Sequence, residues 1–340
     1  MSLDWSNLSF QYMQTDCFVV ADYDGEKWGE LRLETNPVMD IHIAASALHY
    51  GQECFEGIKC FRTKSGEVAI FRPDENARRM IYSADRICMV APPEELFLAA
   101  CDMAVKNNAN FVPPYGTGAS LYIRPLLIGT EPTVGVKASK TYRFIVLVTP
   151  VGPYYKNGFS KTVEAFAINQ FDRAAPLGTG TAKVGGNYAA ALIAGKVAKE
   201  AGFAIEMYTD AKEHKYVDEF GTSNFIGITK DGKYKTPSSS AILGSITNKS
   251  LQQLAADMGL EVVVEPIAVD SLEEQFAEVG ACGTAAVITP IGAVHADGKV
   301  YRFNNGEVGE TLTKLYNELQ GIQYGDIEDR HGWLRIVEGV

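Results

Sequence analysis

Apolar runs rich in β-branched residues mark Leu121 to Ile128 and Tyr142 to Thr149 as strands. Ile58 to Arg62 and Val68 to Phe71 flank Ser65-Gly66, which predicts a hairpin, and Cys17 to Arg32 reads as two more strands around Asp24-Gly25. The period changes after Pro73-Asp74. Ile81, Ala84 and Ile87 then recur at helical spacing, predicting a helix through Cys88, and Pro92-Pro93 opens another through Lys106. Ala44 to Tyr50 reads as a short helix or a loop. The first half is therefore a mixed α+β domain.

In the second half the pattern predicts strands at Thr162 to Asn169, Phe203 to Thr209, Phe225 to Thr229 and Ala285 to Thr289. Asp231-Gly232 and Asp297-Gly298 read as hairpin turns. A helix over Asn187 to Ala201 ends at Gly202, and one over Ile246 to Met258 is capped by Ser245 and ended by Gly259. Asp270 with Glu273 resembles a capping box, and Gly309 to Gln320 forms a last amphipathic helix. Gly152-Pro153 and Asn157-Gly158 mark a connection. The expected division is a smaller domain over 1–152, a connection over 153–172 and a larger domain over 173–340.

A length of 340 residues agrees with two domains. A net charge of −11 without a basic run argues against nucleic acid or an anionic membrane surface as partner, while a small anion can still be held by local positive groups. Phe144 to Val148, among the longest apolar stretches, is far too short to span a bilayer. The opening MSLDWSNLSFQY has neither a basic nor an apolar leader region, so no signal peptide is expected. The six cysteines form no CxxC and read as reduced thiols of a cytoplasmic protein, and the five scattered histidines predict no metal site.

The chemistry centres on Gly178 to Tyr188, GTGTAKVGGNY. Lys183 is the one charge between Arg173 and Lys196, among small residues whose glycines permit close approach of backbone to a bound group. A lysine poor in countercharge and hydration is suited to Schiff-base chemistry, although the same residues also describe a flexible loop with a solvated lysine. Three further features accompany it. Glu219 lies between two predicted strands, the helix start at Ser245 to Lys249 offers free N–H groups to a phosphate, and Gly280 to Ala285 is a small-residue turn suited to an oxyanion. A P-loop ending and a GxGxxG after a strand are both missing. Pyridoxal 5′-phosphate accounts for all four features, because it needs a lysine, an acid beside its ring nitrogen and donors for its phosphate.

Phe55-Glu56-Gly57-Ile58-Lys59, Ser120 to Pro125, Lys183 to Tyr188 and Glu219 to Asn224 stand in one order along the chain. With these segments the sequence resembles the branched-chain-amino-acid aminotransferases, of the fold-type IV class of pyridoxal-phosphate enzymes, from about Phe10 to Tyr324. The resemblance implies a two-domain fold whose second domain has a barrel-like β core with helices. It implies Lys183 as the Schiff-base lysine, Glu219 as the acid at the pyridine nitrogen and Tyr188 as donor to the phenolic oxygen. The phosphate would be met by Arg79, the N–H groups of Ile246 and Thr247, and Thr284. Phe10, Tyr50, Tyr122, Arg124 and Tyr154 would line the substrate pocket, with Arg124 serving the side-chain carboxylate of glutamate. Thr222 and the N–H groups near Thr284 and Ala285 would orient the α-carboxylate. The implied substrates are leucine, isoleucine or valine with 2-oxoglutarate and glutamate, and the implied assembly is a homodimer. Some relatives carry a redox-active CxxC after the Gly-Thr-Ala turn. Here that region is Ala285-Ala286-Val287-Ile288, so no disulfide switch is expected around Cys282. D-Amino-acid aminotransferases and aminodeoxychorismate lyases share the fold type, and a catalytically silent phosphate-ligand or nucleotide-binding protein is the alternative from another class.

Overall fold

The computed structural model describes residues 3–152 and 158–340. The chain divides into two compact units, the first over Met1–Tyr154, Ala182–Gly185 and Gly321–Val340, the second over Tyr155–Thr181 and Gly186–Gln320.

In the first unit the chain forms β1 (Phe18–Tyr23), β2 (Arg32–Glu34), α1 (Ser46–Tyr50), β3 (Glu53–Phe55), β4 (Ile58–Arg62) and β5 (Val68–Phe71). Helices α2 (Pro73–Arg86) and α3 (Glu94–Lys106) follow, then β6 (Ser120–Gly129) and β7 (Tyr142–Val151). The predicted hairpin at Ser65-Gly66 forms between the expected strands, with Cys60 opposite Ile70. β6 and β7 pair over their full length, from Ser120 opposite Val151 to Gly129 opposite Tyr142. The core lies where α3 meets this sheet: Phe97, Ala100, Cys101 and Ala104 recur at helical spacing, all buried, and Phe97 stacks on Phe144 of β7.

The second unit holds β8 (Val163–Ile168), α4 (Gly185–Glu200, which begins at the boundary), β9 (Ile205–Thr209), β10 (Val217–Phe220), β11 (Ser223–Thr229) and β12 (Tyr234–Thr236). It continues with α5 (Ile246–Asp257), β13 (Val262–Val264), α6 (Leu272–Gln275), β14 (Phe276–Gly283), β15 (Val287–Ala296) and β16 (Lys299–Arg302). The neighbours run β10, β9, β8, β15, β14 and β11, and β11 pairs back to β10. That last pairing closes a barrel. Phe220, Phe225, Phe276 and Val294, from four of its strands, pack in one buried cluster, so closure serves the core as well as the strand edges.

Helix α7 (Glu310–Tyr324) and strand β17 (Leu334–Ile336) complete the chain. They correct the expected division. β17 adds to β5 with Leu334 opposite Phe71, and Val184 bridges Cys54 of β3, so the C-terminal segment and Ala182–Gly185 belong to the first unit. The first unit is consequently not the smaller one.

Three other expectations change. Val217 to Phe220 is a strand rather than a connection, and Gly280 to Cys282 belong to β14 rather than to a turn. The Asp270–Glu273 capping box does not form, since the segment starts as a 3-10 turn whose end residues make no side-chain cap.

Candidate functional site

In the first unit, Lys183 is presented by a short segment pinned from both directions. Its N–H donates to Ser83 Oγ at 2.9 Å, and its carbonyl accepts the Phe55 N–H at 3.1 Å. Two residues on, the Gly185 N–H donates to the carboxylate of Glu53, which burial pushes above the usual range while that N–H and Arg124 pull it back. A Cβ at Gly185 would overlap the Glu53 carboxylate, which explains the glycine.

From this anchor the Lys183 amine reaches over the face of Phe55, with Nζ 4.7 Å from the ring centre. Arg124 of β6 stands over the same ring at 4.8 Å, is 5.3 Å from the Tyr122 ring centre, and donates to Tyr122 Oη at 3.1 Å. Phe10 meets Tyr122 edge-on at 5.1 Å. Lys183, Phe55, Arg124, Tyr122 and Phe10 thus form one chain of contacts. Arg124 Nε is buried and has no hydrogen-bond partner among the described residues, an arrangement that suits an incoming anionic acceptor. Tyr50 lies outside this chain of contacts; it is 41% exposed and its hydroxyl donates to the Val134 carbonyl. Tyr154 lies outside the described residues.

Arg79 projects from α2 onto Glu56, next to Phe55. Its Nε donates to Oε1 at 2.7 Å and Nη2 to Oε2 at 2.6 Å, the two-point geometry that suits a guanidinium. Asn76, one helical turn earlier, donates to the same Glu56 Oε2 at 2.7 Å. The expected phosphate arginine is therefore already oriented by an acid.

In the second unit, Glu219 lies in β10, 2% exposed. Arg173 Nε meets its Oε1 at 2.8 Å, Asn224 Nδ2 donates to Oε2 at 3.0 Å, and the Leu243 N–H donates to Oε1 at 3.2 Å. Burial raises its pKa from 4.5 to about 7, against the opposing effect of Arg173 and the hydrogen bonds. The carboxyl can therefore hold or release a proton near neutral pH. Arg173 also donates through Nη1 to the carbonyls of Gly180 at 3.2 Å and Ala241 at 2.7 Å, clasping the glycine-rich stretch.

Leu243, which touches Glu219, leads through Gly244 and Ser245 into α5. Ser245 Oγ accepts the Asn248 N–H at 3.2 Å, and its carbonyl accepts the Lys249 N–H at 3.0 Å. The cap thus leaves Ile246 and Thr247 as the outward donors of the first turn, the arrangement an anion needs. Thr222 is exposed at the β10–β11 turn, and Thr284 and Ala285 are half-buried in the β14–β15 turn. Asn224 opposite Cys282 holds the strands that carry these turns in register. Tyr188 lies in the first turn of α4, beside Asn187, whose side chain exchanges two hydrogen bonds with Thr179.

Sequence reasoning found the acid but not its partners. Arg173 could have been suspected as the last charge before the neutral lysine stretch. Glu53 and Ser83 carry no local signal, because each acts on a residue remote in the chain, whereas Asn224 closes the Glu219 to Asn224 segment without any mark that pairs it with the acid. Among the described residues no cluster of His, Cys, Asp and Glu could hold a metal ion. No helix of the described residues is long and apolar enough to cross a membrane.

Comparison with known proteins gives a coherent result. Residues 53–294 match the family model described as amino-transferase class IV. The chain is 47% identical to a branched-chain-amino-acid aminotransferase of Haemophilus influenzae over 99% of both sequences. Among solved structures, the Escherichia coli branched-chain amino acid aminotransferase superposes with a TM-score of 0.78 at 28% identity, covering 95% of this chain and 99% of that one. The T.th. branched-chain amino acid aminotransferase with pyridoxamine 5′-phosphate gives a TM-score of 0.78 at 27% identity, covering 96% and 100%.

Proposed function

The chain belongs to the class IV aminotransferases and within them to the branched-chain-amino-acid group, and from that premise we propose how its residues work with pyridoxal 5′-phosphate. The reaction is a reversible transfer of an amino group between leucine, isoleucine or valine and 2-oxoglutarate. When bound, the cofactor supplies an aldehyde for the amino group and a ring that accepts the electrons of the substrate's Cα–H bond.

Lys183 Nζ would hold the cofactor and, once the substrate's amino group displaces it, would serve as the base that carries the proton between the substrate's Cα and the cofactor's C4′ carbon. The observation that carries this role is its presentation: a peptide fixed through Ser83 and Phe55, with the amine set over Phe55 beside Arg124. Glu219 carries or gives up a proton at the ring nitrogen; burial and Arg173 together keep it close to that balance. Tyr188 donates to the phenolic oxygen. Arg79, the Ile246 and Thr247 N–H groups and Thr284 take the phosphate, which fits the outward donors of α5. Thr222 and Ala285 orient the α-carboxylate. Phe10, Tyr50 and Tyr122 receive the branched side chain, and Arg124 receives the second carboxylate of glutamate through donors such as its buried Nε.

The proposal extends to a cytoplasmic homodimer. The first unit exposes apolar side chains at Ile43 (82%), Val134 (83%) and Val136 (84%), which a second subunit would cover. Sedimentation of the purified protein as a monomer would remove that part.

The decisive experiment is an absorbance spectrum with pyridoxal 5′-phosphate, before and after L-leucine is added without an oxo acid. A visible band that leucine shifts to shorter wavelength is the expected result, and Lys183→Ala should lose both half-reactions. A band unmoved by leucine would turn the reading toward D-amino acids or lyase substrates. No band at all would remove Lys183 from its role.

A further inference from the structure

Helix α2 packs by one stripe and works by the next. Ala77, Met80 and Ala84 recur at helical spacing and are 1%, 1% and 0% exposed in the core of the first unit, which fixes the rotation of the helix about its axis. Asn76, Arg79 and Ser83 follow the same period one step around the cylinder. All three reach functional backbone or charge. Asn76 and Arg79 both meet Glu56, and Ser83 Oγ accepts the Lys183 N–H at 2.9 Å.

We propose that Ser83 is a positioning residue for Lys183, and that α2 sets the lysine's backbone and the Arg79 guanidinium at one fixed spacing. Arg79 and Ser83 are four residues apart, about 6 Å along the helix axis and nearly in line. One rigid element thereby places the group that carries the reacting amine and a group assigned to the phosphate. Glycines follow closely at Gly185 and Gly186, so the lysine segment lacks stiffness of its own, and its order must come from outside. Ser83 supplies one tie from a helix, whereas Phe55 N–H and Glu53 supply theirs from β3. Ser83 is 0% exposed, so water cannot substitute for its oxygen. Without that acceptor the Lys183 N–H must turn elsewhere, and the amine moves with it. The kinetic part rests on the aminotransferase reading; the geometric part does not.

The test compares Ser83→Ala and Ser83→Thr with Ser250→Ala. Ser250 is also 0% exposed, and its hydroxyl bonds to the Ile246 carbonyl within α5, so its loss serves as a control for general loosening. Amide hydrogen exchange of the Lys183 segment is followed first in the cofactor-free proteins. Ser83→Ala should speed exchange there at least about tenfold, while Ser83→Thr, which keeps a hydroxyl, and Ser250→Ala should not. Unchanged protection in Ser83→Ala, or an equal increase in Ser250→Ala, would overturn the assignment. With pyridoxal 5′-phosphate bound, Ser83→Ala should lower kcat for L-leucine about tenfold or more with KM changed less than threefold, since the loss is of orientation rather than of contact with substrate. A rise in KM alone would also overturn it. A wild-type protein with no visible band would count against the functional reading, and the exchange comparison would still decide the role of Ser83.

Discussion

Arg173 offers a sharp test of the electrostatics, because its replacement should act through pH. The guanidinium is 5% exposed and bonds at 2.8 Å to Glu219, whose side chain is 3% exposed. In the folded protein burial raises the Glu219 pKa from 4.5 to about 7 even with Arg173 in place. Between those values the folded state keeps a proton that the unfolded chain has lost, so stability falls as pH rises through the window, by roughly 3 kcal/mol in all. Arg173→Leu removes the cation that opposes this shift, and the folded pKa moves higher still. At about pH 6 both folded proteins hold Glu219 largely protonated, so the gap between them reflects mainly the lost bonds to Gly180 and Ala241, roughly 1–3 kcal/mol. Above about pH 7 the variant keeps losing stability at about 1.4 kcal/mol per pH unit after the wild type has levelled off. By about pH 8.5 the gap should reach about 3–5 kcal/mol, the range for a buried charge stripped of its partner. Denaturant unfolding of the cofactor-free proteins at the two pH values measures it. Measured against Glu219→Gln rather than against the wild type, the double variant Arg173→Leu/Glu219→Gln should show a gap that does not change with pH. Equal gaps at both pH values in the single variant would refute the charge argument.

The remaining predictions concern the glycine stretch, the helix cap and the substrate wall. Gly180→Ala should destabilise the cofactor-free protein by about 1–3 kcal/mol, since a Cβ there would overlap the backbone carbonyl of Ala241, whereas nothing lies near a Cβ at Gly186 and Gly186→Ala should be neutral or slightly stabilising. Thermal unfolding of the two variants decides it. Ser245→Ala should cost about 1 kcal/mol by releasing the Asn248 N–H from its cap, read as a fall in the denaturant midpoint. Arg124→Met should leave turnover of L-leucine within a few fold but lower kcat/KM for 2-oxoglutarate by about 10- to 150-fold, the worth of a charge-assisted hydrogen bond. Equal losses in both half-reactions would contradict the role given to Arg124.

Sequence alone located much of this molecule because its local signals were strong. The Ser65-Gly66 hairpin, the helix opened by Pro73 and the Ser245 cap formed as the turn and capping chemistry requires. Strand β10 was hidden for a physical reason. Val217-Asp218-Glu219-Phe220 places two acids in succession, which locally reads as solvated loop, yet all four residues are buried. Much of what pulls them inside is remote in sequence: Arg173 and Leu243 serve Glu219, and β9, together with the adjoining β11, serves the backbone. β17 was missed because three residues with an exposed Arg335 give too short an alternation, and the strand exists only through β5. The candidate site was legible as a set of motifs, but the holding residues were not. Ser83 sits on a stretch of helix whose only local signal is its apolar period, and nothing within Phe55-Glu56-Gly57 marks Glu56 as the partner of Arg79.

Two buried acid–arginine pairs, one in each unit, show what these holding residues have in common. Glu56 and Arg79 are 0% and 12% exposed, and Glu219 and Arg173 are 3% and 5% exposed. Stability does not explain them, since desolvating two charges costs about as much as their attraction returns, and apolar side chains of similar volume often fold as well or better. Their hydrogen bonds show a different purpose. Glu56 receives Arg79 on both oxygens and Asn76 on one; Glu219 receives Arg173 and Leu243 on one oxygen and Asn224 on the other. Such saturation leaves each carboxylate little freedom to rotate, so the charge it presents has a fixed direction as well as a sign. Behind Asn224 the same logic continues, because Asn248 donates to Asn224 Oδ1 at 3.4 Å while its own N–H is held by the Ser245 cap. The acid assigned to the ring nitrogen and the helix start assigned to the phosphate are therefore set by one polar network within the second unit. An apolar core could hold these elements together, but it could not fix the direction of either charge.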